Sequence, residues 1–413
     1  MANPVVVIPG IGQSKVKSSD GKTVWPFSVD KNALLSEVKS EAAKMMLFRK
    51  DKGFSDKIAK IAEGYLDPVS VKDDGSSKYD LKAVSYESYD KLSDDEKRFI
   101  NKMVPAEKIA KVVGENNFYY FAYNPFGEVN SVADLLDKFI SKVKSETGSE
   151  KVDLFSVSLG GCVLRAYMMK YAEKKEIGKV IAVESALDGT VTAADALERK
   201  LKIDDPVSLL NGIGGKAAQL ASLVKMVPKD AYDNTVNKVY KTAMEKLGRN
   251  STMIWACVPS ERLDSALSYV KLNYGNIGVE DKVRALGDYT SVFSDKAKES
   301  GFDFYVIAGY NRQIVPVVES QYTSSDTIID VKSASLGATA ARPDEKLESG
   351  SRLSPDGNVD ASTCAFPDKT WFFYDMRHDD AAKNENLLSL TEKILSGEVK
   401  DVNSSADYPQ FIK

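Results

Sequence analysis

The chain has 413 residues, 43% of them hydrophobic and 28% charged, with a formal net charge of −4. That length fits one large α/β domain carrying an insertion, or two domains. Its lysines are interleaved with acids, which argues against a nucleic-acid partner. One histidine and three scattered cysteines (Cys162, Cys257 and Cys364) argue against a disulfide framework, a metal site or a metal cofactor.

No run approaches the roughly 18–20 apolar residues that cross a bilayer, so no transmembrane segment is expected. The sequence starts Met1-Ala2-Asn3 and enters a strand at once, without a signal peptide. Its Ser/Thr/Asp/Lys-rich loops favour a secreted bacterial protein, read as a mature chain, over a cytoplasmic one.

In chain order, Pro4 to Ile8 is an apolar, β-branched run that predicts a strand buried on both faces of a parallel sheet. It ends in a turn, Pro9-Gly10-Ile11-Gly12. Ala33 to Lys50 and Asp56 to Tyr65 carry helical periodicity. Phe118 to Tyr123 is an aromatic strand closed by Asn124-Pro125. Val132, Leu135, Leu136, Phe139, Ile140 and Val143 recur at three and four, marking an amphipathic helix. Strand Val152 to Ser156, helix Leu159 to Ala172 and strand Lys179 to Val183 follow.

From Thr192 to Lys296 the pattern changes to helices and loops, with apolar stretches at Ala217 to Val227 and Ile254 to Val270. Strand character resumes at Phe302 to Ala308, a polar excursion runs from Glu319 through Arg352, and a last strand, Thr370 to Tyr374, precedes a helix over Asn384 to Leu395. Alternating strands and helices predict a doubly wound, mostly parallel α/β sheet, with residues 1–191 and 297–413 as the core and 192–296 as an inserted helical cap, or lid.

The strongest local motif is Ser156-Val157-Ser158-Leu159-Gly160-Gly161. A strand enters a helix through small residues centred on Ser158, as a strained nucleophile turn requires. Ser156 stands where that turn usually has glycine. Plain βα turns also collect small residues, so a second signal is needed. The sole histidine, His378, supplies it, because it lies on the loop after the last strand, where a general base belongs.

The acid must fall between the two in chain order. Asp356, in Asp356-Gly357-Asn358-Val359, is preferred, and Asp188, in Asp188-Gly189-Thr190-Val191, is the alternative; both segments also read as ordinary turns. The amides of Ile11 and Leu159 are the expected oxyanion donors. Gly10-x-Gly12 lacks the third glycine of a dinucleotide loop, since position 15 is Lys, and Gly214-Gly215-Lys216 lacks phosphate-loop spacing, so no cofactor is expected.

These segments resemble the lecithin:cholesterol acyltransferase-like lipases. The likeness lies in Val7 to Val16 with Gly21 and Val24-Trp25-Pro26, in Phe121 to Pro125, in Val152 to Gly161, in Ser354 to Val359, and in His378. It covers both ends of the chain and leaves out the cap. Ser156, Val157 and Asn358 depart from the family's pattern. The resemblance implies an α/β-hydrolase fold with a cap and acyl-ester chemistry on lipids or similar esters.

The expected function is therefore a lipase- or esterase-like serine hydrolase, with transient lipid-interface contact through the cap. Met226, Trp255 and Tyr269 are candidates for a lipid-facing lid, and for each taken singly the cap's own helical core is the plainer reading. An acyltransferase using an alcohol acceptor, and a non-catalytic binding protein on the same scaffold, are the competing readings.

Overall fold

The computed structural model describes residues 3–28, 30–102, 104–202 and 227–413. Strand β1 (Val5–Ile8) carries four β-branched residues, all buried. Val5 and Val7 join one apolar layer, and Val6 and Ile8 join the other. Side chains alternate across a strand, so an unbroken apolar run fits only a sheet covered on both faces.

After β1 come helices α1 (Lys31–Phe48) and α2 (Phe54–Leu66). The core resumes with β2 (Phe118–Tyr120), α3 (Val129–Thr147), β3 (Val152–Ser158), α4 (Gly160–Tyr171) and β4 (Ile177–Ser185). The helices after β4 include α5 (Lys229–Ala243), α6 (Thr252–Ala256) and α7 (Glu280–Glu299). Then come β5 (Asp303–Tyr310), β6 (Thr370–Tyr374), α8 (Glu385–Ser396) and β7 (Phe411–Ile412).

The seven strands form one sheet in the order β7-β6-β5-β4-β3-β1-β2. All six pairings are parallel. The chain leaves β1 for β2 on one side and returns to β3 on the other. Loops after β1 and β3 therefore diverge, and the crevice between them is where a doubly wound sheet binds ligands.

One face is covered by α3 and α4 through residues such as Leu136, Ile140, Val163 and Tyr167. The other is covered by α8 through Leu387, Leu390 and Ile394. Each such aliphatic side chain, fully buried, contributes about 1.5–3 kcal/mol. Helix α8 starts where it does because the Asn384 side chain accepts from the Leu387 amide at 3.1 Å.

The helices between β4 and β5 divide their contacts. Helix α5 is tied to the loop between α1 and α2, since the Asp51 amide donates to Asp230 (2.9 Å) and Asn234 Nδ2 donates to Asp51 (3.0 Å). Helices α6 and α7 lie on α4. Buried Arg165 of α4 donates to Ala256 O (2.8 Å) and Thr290 Oγ1 (2.6 Å). Of the lid candidates, Trp255 is fully buried and donates from Nε1 to Arg249 O, and Tyr269 packs on the main core, so both are packing residues. Met226, with most of the Ala217–Val227 stretch and Gly214-Gly215-Lys216, lies outside the described residues. No described helix is long and apolar enough to cross a membrane.

Candidate active site

Ser158 ends β3 with φ +54°, a left-handed conformation that non-glycine residues rarely adopt. The turn is held by its neighbours. A Cβ at Gly160 would lie 2.1 Å from Ile8 O, and one at Gly161 would lie 2.7 Å from the Ala186 amide nitrogen. Only glycine lets α4 start this close to the sheet. Ser156 fits in place of the usual glycine because its hydroxyl is satisfied across the sheet by Ser185 Oγ at 2.9 Å.

The loop after β1 presses against the same serine. A Cβ at Gly10 would lie 2.9 Å from Ser158 Cβ. The loop is fixed from several directions. Buried Gln13 accepts from the Gly10 amide at 2.7 Å. Tyr120 and Tyr123 hydroxyls donate to Gln13 O (2.7 Å) and Pro9 O (2.6 Å). Trp25 Nε1 donates to Ile11 O at 2.7 Å. The expected oxyanion donors are the amides of Ile11, which lines the same cleft as Ser158, and of Leu159, the residue after it. Neither donates to another described residue. Gln13, which locks this loop, has no signature in the sequence, because a glutamine beside glycines has no pattern of its own.

His378 lies on the loop after β6, with Nε2 3.0 Å from Ser158 Oγ. Its Nδ1 is 2.7 Å from Asp326 Oδ2. The loop is clamped by the same residue, because the His378 amide donates to Asp326 O at 2.7 Å. Asp326 is almost fully buried. Its Oδ1 accepts from the Ile328 and Ile329 amides, both at 2.8 Å, leaving Oδ2 for the imidazole. Burial disfavours a charged imidazole, but the charge and hydrogen bond of Asp326, with Asp379, outweigh it and raise the His378 pKa above its ordinary 6.5.

The structure brings Ser158 and His378 together and puts neither expected acid at the imidazole. Asp356 Oδ1 accepts from Ser354 Oγ (2.5 Å) and the Asn358 amide (3.3 Å), closing its own turn. The role of that turn is to buttress. Asn358 is buried, takes a hydrogen bond from Ser324 Oγ at 2.8 Å, and donates to Arg342 O and Glu345 O. Asp188 accepts from the Ser260 amide (3.0 Å) and hydroxyl (3.1 Å) and lies 3.6 Å from Arg165, so it ties the segment at Ser260, between β4 and β5, to α4. Asp326 takes the place expected of Asp356. Asp356→Asn is expected to keep kcat/KM within about ten-fold of the native value, against the ~10⁴ loss typical when a triad acid becomes an amide. Steady-state kinetics on the two variants separate these outcomes.

The cleft in front of Ser158 has a volume of about 440 Å³. Ile11, Val157, Ala381 and Ala382 give it apolar walls, with Lys102 and Lys383 also lining it. Behind the imidazole, Glu184, Asp326 and His378 bring potential ligand atoms within 4.8 Å of one another. A cation there would have to displace the Asp326–His378 hydrogen bond.

No family model matches the chain, and no curated protein matches it. Among solved structures it is similar to the Tle4–Tli4 complex, at 12% identity over 95% of this chain and 98% of that chain, TM-score 0.38. It is also similar to the lin2722 product of Listeria innocua, at 12% identity over 100% and 98%, TM-score 0.34. A third is the proline iminopeptidase of Mycobacterium smegmatis, at 14% identity over 72% and 86%, TM-score 0.30. The parallel sheet and its order, with a strand–turn–helix at Ser158 and a histidine after β6, are those of the α/β-hydrolase fold.

Proposed function

We propose that the protein is a serine hydrolase that cleaves carboxylic esters with an apolar acyl part through an acyl-enzyme on Ser158. The observation that carries the reading is the relay from Ser158 Oγ to His378 Nε2 (3.0 Å) and from Nδ1 to Asp326 Oδ2 (2.7 Å).

His378 takes the Ser158 proton as Oγ attacks the ester carbonyl. Asp326 keeps the Nδ1 proton facing itself, so Nε2 carries the lone pair, and it stabilises the imidazolium that forms. The carbonyl oxygen becomes an oxyanion facing the Ile11 amide of the loop after β1 and the Leu159 amide at the start of α4, where the helix dipole adds to the latter. His378 then protonates the leaving alkoxide, and a water activated by the same imidazole releases the acid. The apolar walls of the cleft suit a hydrocarbon acyl chain.

The test is hydrolysis of p-nitrophenyl esters of graded chain length against pH. His378 acts only when neutral, and its raised pKa keeps it protonated to higher pH. Activity is expected to fall as pH drops through a value above about 6.5, the ordinary histidine pKa. No turnover of any chain length, or an acid limb below that value, contradicts the proposal.

A further inference from the structure

Glu184 is used by none of the steps above. It is fully buried near the end of β4 with φ +43°, so its backbone is itself strained. Neither carboxyl oxygen has a hydrogen-bond partner. One lies 3.7 Å from His378 Nδ1. The room for it comes from Gly309 on β5, where a Cβ would lie 2.9 Å from Asp326 Cβ and 3.2 Å from Glu184 Oε1. A buried carboxyl without a partner costs stability, and the position would take a leucine or methionine more cheaply. Its place beside the imidazole suggests a use.

We propose that Glu184 is a reserve acid for His378, a positioning residue that takes the Nδ1 hydrogen bond when the Asp326 carboxylate is absent. The inference rests on the serine-hydrolase reading. While Asp326 is charged, burial first, and then repulsion from Asp326, Asp380 and Asp379, hold the Glu184 carboxyl well above the usual carboxylate range. Its neutral form is favoured there, which leaves the imidazole to Asp326. Without the Asp326 carboxylate, the nearest negative charge is gone and space opens beside Nδ1. Glu184 then releases its proton to solvent, closes the remaining ångström or so, and accepts from Nδ1–H. Asp379 and Asp380 still oppose its ionisation, and the His378 imidazolium favours it. The proton that His378 takes from Ser158 still passes to the leaving alkoxide, so the reaction stays balanced.

The experiment compares Asp326→Ala with Asp326→Ala/Glu184→Gln. Asparagine at 326 is unsuitable, since its amide would impose a tautomer on the ring. In the single variant kcat/KM is expected about 10² below the native enzyme, and in the double variant about 10⁴ below, the size of an uncompensated acid loss. The single variant should gain rate with rising pH as Glu184 ionises, and the double variant should lose that gain. Equal rates and parallel pH profiles for the two overturn the proposal. Asp326→Ser, which keeps an acceptor for the Ile328 and Ile329 amides, repeats the comparison if the alanine variant does not fold. Native enzyme that hydrolyses no ester and is unlabelled at Ser158 defeats the hydrolase reading itself. Active native enzyme with equal variants defeats only the role of Glu184.

Discussion

Ser158→Ala is expected to lower kcat by about 10⁶, with the fold intact. The size follows from what the hydroxyl does. It is the only atom of the relay that forms a bond to substrate, and alanine leaves His378 with no proton to take. What survives is the contribution of the oxyanion amides and of binding, about 10³–10⁴ over water in well-studied serine hydrolases. KM should move little, because the cleft walls remain. Stability should hold or rise slightly, since Ser158 sits at φ +54° and alanine is no worse there. Ser158→Ala/His378→Ala should be no slower than the single variant, because residues acting as one unit lose their effect together. Pre-steady-state and steady-state rates, with thermal melts of each variant, check this. A residual rate within ten-fold of native removes Ser158 from the chemistry.

Asp326→Asn is the second large effect, an expected loss of about 10⁴ in kcat/KM. The Ile328 and Ile329 amides both donate to Oδ1. An asparagine there must keep its carbonyl oxygen towards them, which turns its NH₂ group towards Nδ1. Nδ1 then has to accept, the ring proton moves to Nε2, and the base is lost. The acid limb should also shift to lower pH, since the charge that raises the His378 pKa is gone. The fold should survive, as both backbone bonds to Oδ1 are kept. A pH–rate profile of the variant beside the native enzyme reads both effects. An unchanged limb with an unchanged rate means that Asp326 does not act on the ring.

The sheet was largely legible in the sequence. Continuous apolar runs such as Val5–Ile8 and Thr370–Tyr374 occur as strands because only a doubly covered sheet hides them. Ser158 and His378 were legible too, one from the small residues that a strained turn demands and one from being the sole histidine. The acid was not. Asp-Gly dipeptides at 188 and 356 stand out, but aspartate favours a turn for its own local bonding, and the bonds that the two side chains make are local or packing contacts away from the imidazole. Asp326 sits in Ser324-Ser325-Asp326-Thr327, inside a polar stretch with no periodicity. Its one signal is the pair Ile328-Ile329, an apolar step whose amides an aspartate two and three residues earlier can accept. Glu184 was hidden for the opposite reason. It lies within a β-branched strand, where an acid reads as a loop boundary, and only three-dimensional packing brings it to the imidazole.

The most direct test of the central claim is labelling with a fluorophosphonate, which reacts with a serine only when a base and an oxyanion site activate it. The account predicts one adduct per chain, on the peptide carrying Ser158, abolished by Ser158→Ala and by His378→Ala. Folded native protein that stays unlabelled, or an adduct on another serine, contradicts it.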